Sequence, residues 1–92
     1  MSASLDRVVR TLGGEEVAIL AAVARHWEAV VGPGLASHAR PCAVREGAVV
    51  VEVDHPTWAT HVRWLAPQVL ARLGEASGQE VPDRVEVRIR RR

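Results

Sequence analysis

Residues 48–54 alternate so that Val49, Val51 and Val53 share one side of an extended chain, and Val50, Glu52 and Asp54 the other. A strand of this kind needs hydrogen-bonding neighbours, and its apolar side needs a cover. Two other short segments supply neighbours. Residues 42–45 follow Pro41, and residues 84–90 set Val85, Val87 and Ile89 against Glu86, Arg88 and Arg90. Glu46-Gly47, between the first two segments, is a hairpin-turn signal because glycine accepts a positive φ. Helices must therefore cover one face of a three-stranded sheet. The other face is predicted to be hydrated and to carry Arg45, Val50, Glu52, Asp54, Glu86, Arg88 and Arg90.

The covering helices are legible from their periodicity. Ser4 caps a short stripe of Leu5, Val8, Val9 and Leu12, which Gly13-Gly14 ends. Glu15 and Glu16 suit the start of a second helix, where the dipole favours acids. Its apolar residues Val17, Leu20, Ala24, Trp27 and Val31 recur at three- or four-residue steps up to the break at Gly32-Pro33-Gly34. One more turn is expected over residues 35–39. His55-Pro56-Thr57 opens a third helical pattern, with Thr57 or Asp54 as its cap, through Trp58, His61, Val62 and Leu65. Pro67 lacks an amide hydrogen and predicts a kink or a two-helix joint, after which Val69, Leu70 and Leu73 continue the stripe. Residues 78–82 read as loop. The expectation is one α+β domain over residues 1–92, with an extra N-terminal helix over 1–14 and a basic tail over 90–92.

Composition narrows function. The chain has 12 basic residues, all arginine, against 11 acids, for a net charge of +1. A wholly basic coat is excluded, but the total conceals a division. Residues 46–83 hold two arginines and six acids, whereas residues 84–92 hold five arginines and Glu86. No apolar run approaches the roughly 20 residues of a membrane span. The N-terminus lacks a basic-then-apolar export signal, and the single Cys42 excludes an intrachain disulfide. A cytoplasmic location is expected.

The stretch His26-Trp27-Glu28-Ala29-Val30-Val31-Gly32, followed by Leu35-Ala36-Ser37-His38 and Arg40-Pro41, resembles the DciA-like family, formerly a domain of unknown function. So do Gly47-Ala48-Val49-Val50-Val51-Glu52-Val53, Pro56-Thr57-Trp58-Ala59, Leu65-Ala66-Pro67-Gln68-Val69-Leu70 and the closing Val85-Glu86-Val87-Arg88-Ile89. The likeness covers roughly residues 20–90. It rests on two Trp-centred motifs, a glycine after the long helix and a hairpin in one order. The resemblance implies a KH-like, type II-like sheet packed on one face by helices, in the order α-α-β-β-α-α-β. It also implies a bacterial replication adaptor that recruits or loads the DnaB-type replicative helicase and binds DNA. A KH domain clamps nucleic acid with a Gly-x-x-Gly loop between paired helices. This chain reads Trp64-Leu65-Ala66-Pro67-Gln68 there, so a nucleic-acid contact needs another surface. The resemblance also implies that many members carry a disordered or basic extension beside the domain, of which almost none is expected here.

Candidate residues fall into three groups. Arg84, Arg88, Arg90, Arg91 and Arg92, with Arg45, form a nucleic-acid-binding candidate, because a guanidinium fork matches phosphate oxygens. The contrary expectation is a solvated face with Arg88 or Arg90 paired to Glu52. Trp64, Arg63, Gln68 and Arg72 form a candidate partner surface. Trp27, Gly32, Trp58, Leu65 and Leu70 are read as structural core, and Cys42 as a small buried residue. No metal is expected, since His26, His38, His55 and His61 lack ligand spacing. No cofactor is implied, and no nucleophile elbow or phosphate loop points to an enzyme. The partners expected are the helicase and single-stranded DNA. The alternatives are a single-stranded DNA or RNA module outside helicase loading, and a protein-interaction or self-associating domain (a homodimer) that binds no nucleic acid and has its last strand available for edge pairing.

Overall fold

The computed structural model describes residues 14–78 and 80–90. The helix expected before Gly14, and Arg91 and Arg92, lie outside the described residues. The elements are α1 (Glu15–Ala36), β1 (Ala39–Arg45), β2 (Ala48–Val53), α2 (Pro56–Ser77) and β3 (Arg84–Ile89). This is the α+β arrangement expected, with helices on one face of a three-stranded sheet.

Glu15 and Glu16 occupy the first turn of α1, where they face the positive end of its dipole. Glu16 also accepts the Glu46 amide hydrogen at 3.2 Å, which holds the β1–β2 turn against the helix start. Val23 and Trp27, one helical turn apart, are buried. The Trp27 indole N–H donates to the Ala39 carbonyl at 2.8 Å and ties α1 to the first residue of β1. Gly32 breaks the helix with φ 88° and ψ 156°, and the chain then makes one further turn that buries Leu35. That backbone region is nearly closed to any residue with a Cβ. A methyl group on Gly32 would meet no atom within 4 Å, so its penalty is purely conformational. Gly32→Ala is therefore expected to cost about 1–3 kcal/mol and to lower Tm by about 5–20 °C in a thermal melt. An unchanged Tm would show that the kink relaxes without strain.

β2 is the central strand, antiparallel to β1 and parallel to β3. The β1–β2 turn has positive φ at both Glu46 (52°) and Gly47 (75°), the type I′ pattern that matches strand twist. A parallel pair needs a long crossover, and α2 supplies it. Val49, Val51 and Val53 pack with Ala39 and Val44 of β1 beneath Val23 and Trp27 of α1 and Val62, Leu70 and Leu73 of α2.

Four local expectations are corrected. The cap of α2 is His55, whose Nδ1 accepts the Thr57 amide hydrogen at 3.2 Å, rather than Thr57 or Asp54. No joint occurs at Pro67; one helix runs from Pro56 to Ser77 and ends at Gly78 in the left-handed region (φ 67°). Pro67 removes the bond to the Arg63 carbonyl, but both residues are exposed, so water can take that acceptor. β1 begins at Ala39 instead of residue 42 and bulges between Pro41 and Ala43. Cys42 is the extra residue of that bulge, and it is exposed instead of buried.

Candidate nucleic-acid interface

The register sets the sheet face turned away from α1 and α2 in three rows. Arg40, Glu52 and Arg88 lie side by side across β1, β2 and β3; Ala43, Val50 and Glu86 form the next row, and Arg45, Ala48 and Arg84 the third. Ala48 and Val50 have 0% exposure and make the floor. Arginines hold the four corners of this grid, Arg40 and Arg45 on β1, Arg84 and Arg88 on β3. Arg90 and Asp54 stand just beyond the strand ends. Two open depressions mark the surface. One, of about 380 Å³, is lined by Arg45, Glu46, Val50, Glu86 and Arg88. The other, of about 270 Å³, includes Ser37, His38, Arg40, Glu52, Asp54 and Arg90.

The ion pairs decide which cations are available. Glu52 is paired to Arg40 at 3.3 Å, not to Arg88 or Arg90. Asp54 meets His38 Nδ1 at 3.0 Å. Arg84 donates to the Glu46 carbonyl at 3.0 Å, a contact that leaves its charge unneutralised. Among the described residues, Arg45, Arg84, Arg88 and Arg90 therefore have no carboxylate partner. Arg45 on β1 is separated from Arg84, Arg88 and Arg90 by the central strand β2, so these cations are spread about 10 Å apart across the face, a spacing that suits an extended polyanion better than a single anion.

Arg40 was not among the candidates read from the sequence. It lies five positions before Arg45, and strict alternation would put the two on opposite faces. The bulge at Cys42 adds the one residue that returns them to the same face. Pro41 next to a short strand was the available signal, since proline in a sheet is confined to edges and bulges.

The helical layer has a different character. Trp64 is 85% exposed on the outer side of α2, and Arg63, Gln68 and Arg72 are exposed beside it. Trp27 and Leu70 are buried, whereas Trp58 and Leu65 are half-buried and pack against the core. Gly32 sits at the kink. His38, His55 and His61 serve local roles. His38 stacks on Trp58 with ring centres 4.5 Å apart and planes 8° off parallel, and His61 approaches the same indole at 5.7 Å. Among the described residues no three His, Cys, Asp or Glu side chains converge as metal ligands. No helix among them is long and apolar enough to cross a membrane.

Residues 1–87 match the family model described as "Dna[CI] antecedent, DciA". The chain belongs to the DciA family. Among curated relatives, a UPF0232 protein of Streptomyces avermitilis is 36% identical over 80 residues, covering 85% of this chain and 44% of the relative. A UPF0232 protein of Mycobacterium tuberculosis is 42% identical over 55 residues, covering 60% of this chain and 29% of its own length. One from Rhodococcus jostii is 38% identical over 55 residues, 60% of this chain and 29% of the relative. The chain thus spans less than half the length of these DciA-family relatives. At the position where a KH domain carries its Gly-x-x-Gly loop, this DciA-family chain has an unbroken helix.

Proposed function

We propose that this chain is a non-enzymatic adaptor of DNA replication that helps place a DnaB-type replicative helicase on DNA in the cytoplasm. Membership of the DciA family supports a role of this kind. The observation that carries the reading is Trp64, a large aromatic left 85% exposed on the helical layer, away from the arginine-bearing sheet face. An adaptor needs two surfaces of different chemistry. A Trp flanked by arginines suits a protein partner, because such residues dominate interface energetics. The opposite face, with Arg45, Arg84, Arg88 and Arg90, suits the phosphates of single-stranded DNA. The terminal Arg91 and Arg92 extend the same basic run in sequence.

The test is a pull-down of the cognate helicase, with and without a single-stranded oligonucleotide. Association is expected in both. Trp64→Ala is expected to weaken it by about 30-fold, the size of an interface hot spot, while DNA affinity stays unchanged. No association under either condition would overturn the helicase reading. Salt-sensitive oligonucleotide binding by a chain that shows no helicase association would instead favour a general single-stranded nucleic-acid module, a reading that the arginine face alone supports.

A further inference from the structure

The two edges of the sheet are guarded unequally. β1 contains Pro41, which has no amide hydrogen, and the bulge at Cys42, both of which blunt an edge against further pairing. β3 has neither device. Its ladder with β2 runs without a register shift from Arg84 to Ile89, and Ile89 is 43% exposed. The Arg90 amide hydrogen donates to the Val53 carbonyl at 2.7 Å, which fixes the parity of the parallel ladder. Even-numbered residues of β3 turn their backbone groups toward β2. Val85, Val87 and Ile89 turn theirs outward. Among the described residues no strand takes them up.

We propose that β3 pairs antiparallel with β3 of a second copy of this chain, about a two-fold axis at Val87, joining two sheets into one of six strands. This register satisfies three requirements together. Val85 meets Ile89 of the second copy, Val87 meets its own counterpart, and Ile89 meets Val85, so every outward backbone group finds a partner. On the helix side these pairs are all apolar and cover the exposed part of Ile89. On the open side Glu86 faces Arg88 of the second copy, twice by symmetry, which is the opposite-charge pairing that stabilises neighbouring strands. Arg84 faces Arg90 at each end, but its guanidinium is held back by the Glu46 carbonyl at 3.0 Å. Other registers lose these features. An axis at Glu86 or Arg88 sets like charges together, an axis at Ile89 sets Arg88 against Arg90, and an axis at Val85 runs Val87 onto Asp83 outside the strand.

The test is sedimentation equilibrium on the full chain over the micromolar to millimolar range, with amide exchange followed at the same concentrations. A concentration-dependent dimer is expected, with slowed exchange at Val85, Val87 and Ile89 as it forms. Glu86→Arg turns both charge pairs repulsive and is expected to weaken the dimer at least about ten-fold. Arg88→Glu alone, which sets glutamates together, gives the same loss. The double substitution Glu86→Arg with Arg88→Glu restores opposite charges across the axis and is expected to restore the dimer. Glu86 and Arg88 are exposed, so circular dichroism should show each variant folded. A monomer at every concentration overturns the proposal. So does a dimer indifferent to Glu86→Arg, or one abolished by Trp64→Ala with the β3 amides unprotected.

Discussion

Replacing Arg45, Arg84, Arg88 and Arg90 together with alanine is expected to lower affinity for single-stranded DNA by about 100-fold or more at 0.1 M salt. The reasoning is electrostatic. Each phosphate contact to a single strand contributes about 0.7 to the slope of log affinity against log salt, so four lost contacts should reduce that slope by about 3. The four guanidinium groups have no carboxylate partner among the described residues, so their removal leaves no buried or unpaired acid behind. Arg40 is kept in this variant because Glu52 depends on it at 3.3 Å. All four residues are exposed, and the core lies on the other side of the sheet, so the melting temperature should hardly move. Titration with a labelled oligonucleotide at several salt concentrations reads both quantities. A variant in which Arg63 and Arg72 are replaced instead removes charge from the helical layer and should change the slope far less. Equal affinity of the four-arginine variant and the parent at every salt concentration would remove the sheet face from consideration.

What the sequence discloses about this face depends on regularity. The two-residue period of β2 and β3 placed Glu52, Glu86, Arg88 and Arg90 on one side without any coordinates, and the register confirms Glu52, Glu86 and Arg88 as neighbours. Arg40 escaped because it lay before the strand expected over residues 42–45 and because a bulge changes the parity of a strand, for which Pro41 was the one local signal. The same bulge exposed Cys42, whose expected burial assumed unbroken alternation. Pro67 misled in the opposite direction. A proline inside a helix is costly, yet here the freed carbonyl belongs to exposed Arg63, so tertiary packing of Leu65, Val69, Leu70 and Leu73 carries the helix through. The cap of α2 was missed because a histidine ring nitrogen did the work usually assigned to an Asp or Thr oxygen. Charge pairing was the least legible feature. Glu52 had arginines in reach on both sides, and only the side-chain geometry chose Arg40.

The two tryptophans that differ most in exposure give the second large effect. Trp27 is 6% exposed and Trp64 85% exposed, although both stand on helices of 22 residues. Trp27→Ala is expected to cost about 3–5 kcal/mol, since it removes a buried indole and leaves a cavity between α1 and the sheet. A domain of this size has a total stability of about 5–14 kcal/mol, so the loss is a large fraction of it. The melt followed by circular dichroism should shift down by about 15–30 °C. Trp27→Phe separates two contributions. It keeps most of the apolar volume but leaves the buried Ala39 carbonyl without the donor now at 2.8 Å, an omission worth about 1–3 kcal/mol. Trp64→Ala should lie within about 0.5 kcal/mol of the parent, because no core contact is lost at an exposed position. If Trp64→Ala instead destabilises as much as Trp27→Ala, the indole is supporting the fold and is not free for a partner. A stable Trp64→Ala protein that has lost helicase association would separate the recognition surface from the scaffold beneath it.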